Sequence, residues 1–326
     1  MRTLYPSIKP HQHYYLQVDD QHKLCFDESG NSKGIPVVFL HGGPGDCYVD
    51  HGRRYFDPDF YRIINLDQRG CGRSVPHGDL QNNTTQDLIL DLEQVRKHLN
   101  IDRWMLLGGG WGATLAVLYA QHYPDKVLAV IAAGFSLCRR DDLNWLYGGG
   151  IRRIFPDYWK EFVEKLDPKE QEQPLLAYYN HLTADKNELM QMSLAKSWGA
   201  WIIQCATLKP DQEALDHYVE SNCMLTMAKI ATHFAVNNFF IRDNYILDNI
   251  NKIKHIPGIL VHGRYDMVAP TDNVFQLSEQ WSAAESHIVR DAGHLLTEPG
   301  IQDALVRATG VMAKRFKSEF NIKTTS

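Results

Sequence analysis

Residues 104–122, WMLLGGGWGATLAVLYAQH, decide the reading of this chain. Residues 104–109, WMLLGG, form an apolar run of buried-strand length, and 112–122 read as a helix. The chain must therefore turn from strand to helix within GGGWG (108–112). A strand–turn–helix of this kind is the setting of a nucleophile elbow, whose expected pattern is G-x-S-x-G. The central position here is Gly110. An elbow holds its central residue in a strained backbone conformation that glycine adopts at no steric cost, so the turn is expected to fold. With no side chain, Gly110 cannot attack a substrate.

Outward from the elbow, strands and helices alternate. HYYLQV (13–18) and KLCFDE (23–28) are short and β-rich, and IPVVFL (35–40) and YRIINL (61–66) are apolar runs of the kind that buried parallel strands produce. In TTQDLILDLEQVRKHL (84–99), Leu88, Leu92, Val95 and Leu99 share one face, and Thr84 or Thr85 is placed to cap the start, which predicts a crossover helix. A strand follows at 126–134. The alternation implies an α/β protein with a mostly parallel sheet and helices on both faces. From about 137 to 247 strand signals vanish and the text turns helical, aromatic and charged, as expected of an inserted helical cap. Strands resume at 256–263 and 285–290, and 301–316 closes the chain as an amphipathic helix. The expected division is a core of 1–136 and 248–326 with a cap of 137–247.

The 326 residues, 44% hydrophobic and 22% charged, suit one large core with an insertion. A net charge of −5 with no basic block argues against nucleic acid. The six cysteines lack both the CxxC spacing of a zinc site and the density of a disulfide scaffold. No apolar stretch of 18 residues occurs and the N-terminus has no signal-like apolar segment. These features point to a soluble cytoplasmic protein without metal or organic cofactor, and they leave oligomeric state open.

The chemistry-bearing motifs surround the elbow. HGGPG (41–45) follows a strand where an oxyanion loop belongs, so the N–H groups of Gly43 and Trp111 are the expected oxyanion hole. HGRYDMVAP places Asp266 just beyond one strand and DAGHLLTEPG places His294 beyond the next. The chain order elbow, Asp, His is that of the α/β-hydrolase fold. In a working triad the imidazole takes the nucleophile's proton while the carboxylate fixes its tautomer. In DQRGCGRS (67–74), Asp67, Arg69 and Arg73 could be catalytic or could brace loops through buried ion pairs, and bracing is the favoured reading. Cys47 and Ser136 are candidate replacement nucleophiles, although buried cysteines usually act as small hydrophobes and pocket serines usually satisfy local backbone.

HGGPG, DQRGCGRS, NTTQDLILDLEQVRKHL, GG-x-WG-x-TLA, HGRYDMVAP and AGH together resemble the proline iminopeptidases, serine peptidases that release an N-terminal proline, over nearly the whole chain. The resemblance implies that the catalytic positions are Gly110, Asp266 and His294, and that substrate lies between core and cap. The departures fall on the pocket. Where the family reads W-E-G this chain has Trp201-Ile202-Ile203, and where it reads I-E-N-H-Y-F this chain has Ile230-Ala231-Thr232-His233-Phe234-Ala235. Ser136, Leu146 and Tyr147 stand in two further altered pocket segments. The resemblance thus implies a small-molecule or short-peptide substrate but a peptidase inactive or severely impaired, because Gly110 replaces the serine. Two alternatives stay open: a pocket rebuilt by divergence or design that uses His294–Asp266 as a general base on an apolar substrate, and a non-catalytic ligand-binding relative.

Overall fold

The computed structural model describes residues 1–46, 50–184, 187–209, 212, 215–216, 223–320 and 322. An eight-stranded sheet runs in the order β1-β2-β4-β3-β5-β6-β7-β8, comprising β1 (Gln12–Gln17), β2 (Lys23–Gly30), β3 (Ile35–Leu40), β4 (Tyr61–Asp67), β5 (Trp104–Gly109), β6 (Val127–Ala133), β7 (Gly258–Gly263) and β8 (Ala284–Val289). The first two strands pair antiparallel and β4, β3, β5, β6, β7 and β8 run parallel. Every residue of β3, β5 and β6 is buried, as a parallel sheet covered on both faces requires.

Helices α1 (Thr85–His98) and α2 (Trp111–His122) cover one face, with Leu88, Leu92 and Val95 packed into the same cluster as Val38, Leu106 and Val130. Thr84 caps α1 through a reciprocal capping box with Asp87. The closing helix, Pro299–Phe316, covers the opposite face with Ile301, Leu305 and Met312. Between β6 and β7 the described elements are helical and include α3 (Arg140–Tyr147), α4 (Pro156–Val163), α5 (Pro174–Ala184), α6 (Glu188–Ala206) and α7 (Met224–Val236). These helices have a hydrophobic cluster of their own, including Phe162, Tyr178, Leu194 and Trp201. Ile230 and Phe234 of α7, and Ile246 and Ile250 beyond it, pack into the main core instead.

Among the described residues no helix is long and apolar enough to cross a membrane. Cys25, Cys71, Cys138 and Cys205 are buried free thiols. Cys223 is disulfide-bonded, which the cysteine spacing did not signal.

Candidate active site

β5 ends at Gly109 and α2 begins at Trp111, so one residue makes the whole turn. Gly110 does so at φ 54°, ψ −122°, a conformation strained for any residue with a side chain. Its neighbours are glycine for a different reason. A Cβ on Gly108 would lie 2.1 Å from the Gly112 carbonyl oxygen, and one on Gly112 would lie 2.0 Å from that of Leu40, so the elbow can pack against β3 only without them.

Opposite the elbow stands His294. A Cβ built on Gly110 would lie 3.2 Å from His294 Nε2, so a serine there would carry its hydroxyl to the imidazole. The other ring nitrogen, Nδ1, lies 2.7 Å from Asp266 Oδ2. Asp266 is buried, and its Oδ1 accepts hydrogen bonds from the N–H groups of Val268 (3.0 Å) and Ala269 (2.8 Å). Burial pushes its carboxyl up, but the charges of His294 and His262 and these hydrogen bonds prevail, and its pKa lies below the ordinary aspartate value. His294 is the mirror case. Burial disfavours the imidazolium, yet the Asp266 charge and hydrogen bond raise its pKa above the ordinary histidine value.

The loop that carries His294 is tied to the cap. The His294 N–H donates to the Ala206 carbonyl at the end of α6 (2.7 Å), and Glu298 Oε1 accepts from the N–H groups of Gly293 (2.9 Å) and Leu208 (3.4 Å). Burial raises the Glu298 pKa. The HGGPG loop is fixed to the elbow by a second network. The Gln68 main-chain N–H donates to His41 Nε2 (3.0 Å), its side-chain amide donates to the His41 carbonyl (2.9 Å), and Trp111 Nε1 donates to Gln68 Oε1 (3.0 Å). Neither Glu298 nor Gln68 is evident from sequence, because each acts on backbone or on a residue whose proximity only the fold creates.

A cavity of about 200 Å³ lies between sheet and cap. Of the expected site residues, Gly43, Gly110, Trp111, Ser136, Leu146, Tyr147, Ile202, Ala231 and His294 all line it. Asp266 stands behind His294, as an orienting carboxylate must. Trp201 does not line it. Its ring stacks on Phe162 (5.3 Å between centroids) and meets Trp159 edge-on, inside the cap's own core. The helical phase explains the difference, since consecutive residues of α6 point about 100° apart and Ile202, not Trp201, faces the cavity. Ser136 accepts a hydrogen bond from Cys138 N–H (3.1 Å), a local backbone role. Cys47 lies outside the described residues.

Asp67, Arg69 and Arg73 are braces. Arg73 pairs with Asp67 (2.6 Å) and Asp27 (3.1 Å), Asp27 holds Arg53 (2.9 Å), and Arg69 grips Asp91 with two hydrogen bonds of 2.6 and 2.7 Å. None of these residues lines the cavity. Among the described residues no group of three or more histidine, cysteine or acidic side chains is placed to hold a metal ion.

A strand-to-helix elbow, a glycine-rich loop beside it and an Asp–His pair beyond the later strands define the α/β-hydrolase class, and the family model described as alpha/beta hydrolase fold matches residues 35–300. A solved structure titled as a proline iminopeptidase-related protein from Thermus thermophilus superposes with a TM-score of 0.61 at 18% identity, covering 94% of this chain and 99% of that one. Within the class, the chain is 43% identical to a proline iminopeptidase of Arabidopsis thaliana over 95% of its own length and 82% of that protein's. It is 42% identical to a probable proline iminopeptidase of Leptolyngbya boryana over 95% and 96%. The chain belongs to the proline iminopeptidase family.

Proposed function

We propose that this chain is a proline iminopeptidase-family protein that no longer performs the covalent step, and is inactive or severely impaired in releasing proline from short peptides. One observation carries the reading: the space between the elbow and His294 Nε2, where a nucleophilic oxygen would stand, is faced on the elbow side by a residue with no side chain. Covalent acyl transfer requires a nucleophile within hydrogen-bond reach of its base. Ile202 and Ala231 on the cap wall offer no charge to a substrate's amino group. We place the core at 1–136 and 248–326 and the cap at 137–247, a division supported by the cap's separate hydrophobic cluster, and the protein in the cytoplasm with a small-molecule or short-peptide ligand.

The intact Asp266–His294 hydrogen bond favours a second reading, in which the pair serves as a general base on an apolar substrate by activating water. The decisive assay uses prolyl-p-nitroanilide with the native chain, Gly110→Ser, and Gly110→Ser combined with Ile202→Glu and Ala231→Glu. The native chain is expected to give no turnover above background and the triple variant to hydrolyse the anilide. Brisk turnover by the native chain would refute the first reading. The second requires that any water-dependent hydrolysis by the native chain disappear in His294→Ala.

A further inference from the structure

The cavity floor has an electrostatic character distinct from its walls. α2, twelve residues long, starts at Trp111 with no side chain capping it; the Ala113 and Thr114 N–H groups donate to the Gly110 carbonyl (3.0 and 3.3 Å), and the positive dipole end of the helix, with the N–H groups of Trp111 and Gly112 ahead of those bonds, lies at the elbow. His294 faces the same space. Its Nδ1 is committed to Asp266, which leaves Nε2 as the atom turned to the cavity, 3.2 Å from where a residue-110 Cβ would be. The walls are apolar: Leu143, Leu146, Ile202, Ile203, Met227 and Ala231. The two carboxylates on the lining are occupied. Asp142 accepts from the Arg139 N–H (2.9 Å), pairs with its guanidinium (3.3 Å) and accepts from Asn273 Nδ2 (3.0 Å), and Asp46 has a partner as well.

We propose that this cavity binds an apolar carboxylate, a short aryl or alkyl acid. Its carboxylate would sit above Gly110, in the volume that any side chain at 110 would fill. There it would accept hydrogen bonds from the Trp111 and Gly43 N–H groups and a charge-assisted one from protonated His294 Nε2. Its hydrocarbon end rests on Leu146, Ile202 and Ala231. An amine in the same place meets the positive helix end and the imidazolium, and a neutral amide forgoes the charge-assisted bond. This goes beyond the reading above, which concerns only the lost peptidase step.

Burial, Asp266 and Glu298 at the start of the closing helix set the protonation of His294, and His262 lies behind the pair; the titratable groups that face it from the cavity lining include His41, Asp46 and His51 beside the glycine-rich loop and Asp142 across the cavity. Its raised pKa supports the charged form that a carboxylate needs.

The test is calorimetric titration of the full chain with 4-phenylbutyrate, 4-phenylbutylamine and 4-phenylbutanamide, three probes of one shape. The acid should bind at least about tenfold tighter than either comparator, and weaken at least about tenfold in His294→Gln and as pH rises past the imidazole's titration. Ile202→Glu, which sets a carboxylate against the ligand's path and leaves the His294 loop intact, should lower the acid's affinity and raise the amine's. The proposal falls if no probe binds, if the amine or amide binds as well as the acid, or if His294→Gln leaves the acid's Kd unchanged. Should His294→Gln not fold, an unchanged acid affinity in Ile202→Glu overturns it alone. Because none of these readouts involves hydrolysis of a prolyl anilide, its failure is distinct from that of the proposed function.

Discussion

The floor and the roof of the cavity are made differently. The floor is set largely by backbone: glycines at 108 and 112 that admit no Cβ, a helix starting one residue after a strand, and a histidine whose main-chain N–H is tied to the Ala206 carbonyl while its imidazole is held by Asp266. The roof is set by side chains, with Trp201, Phe162 and Tyr178 packed inward and Ile202 and Ala231 presented to the cavity. Exchanging a side chain leaves the floor's geometry standing, so the elbow keeps the shape of a nucleophile's seat with nothing seated in it. In the roof, one step along α6 separates a residue that holds the cap together from one that faces the cavity.

The largest effect that sharpens this contrast is in catalysis. Gly110→Ser alone should raise hydrolysis of p-nitrophenyl acetate, which needs no amino-group recognition, by roughly 10³-fold or more, since a triad nucleophile is worth up to about 10⁶ in kcat. No gain in a folded variant would mean that the floor is not poised as described. The same substitution should cost about 1–3 kcal/mol of stability by urea unfolding, because a side chain at φ 54° is strained.

The next effect separates the two sides of α6. Trp201→Ala should destabilise the protein by about 3–5 kcal/mol, the usual cost of emptying a buried aromatic site. Ile202→Ala, at a half-buried position on the cavity wall, should cost clearly less. Equal losses in chemical denaturation would erase the distinction between cap core and cavity wall.

The smallest effect is in pH dependence. His294 has its pKa raised in the fold, so it contributes stability that is complete below the ordinary histidine value near 6.5 and is lost as pH rises through the raised value. Asp266 has its pKa lowered, so its contribution is present above the ordinary carboxyl value and lost as pH falls through the lowered one. The native chain should therefore show a small decline in Tm on the alkaline side of pH 6.5 that His294→Gln lacks. A decline of the same size in the variant would assign it to other groups.

The floor was legible in the sequence because its determinants are local. Apolar runs bounded by glycine announce β3 and β5, and the order elbow, Asp266, His294 follows from where parallel strands end. The cap was legible only as a helical region. WII at 201–203 does not state which residue turns inward, because that depends on how α6 packs on α4 and α5. Glu298 and Gln68 escaped notice because their partners are main-chain atoms and side chains distant along the chain, which no spacing rule brings together.

The turn at Gly110 has a consequence at the level of the gene. Glycine codons GGY and serine codons AGY differ by one base, and here the fold accepts glycine without strain. Where Gly110 is encoded by GGY, a single transition separates the chain as it stands from one with a hydroxyl at its elbow. Random mutagenesis of a gene with that codon, under selection for esterase activity, should return that change before any other.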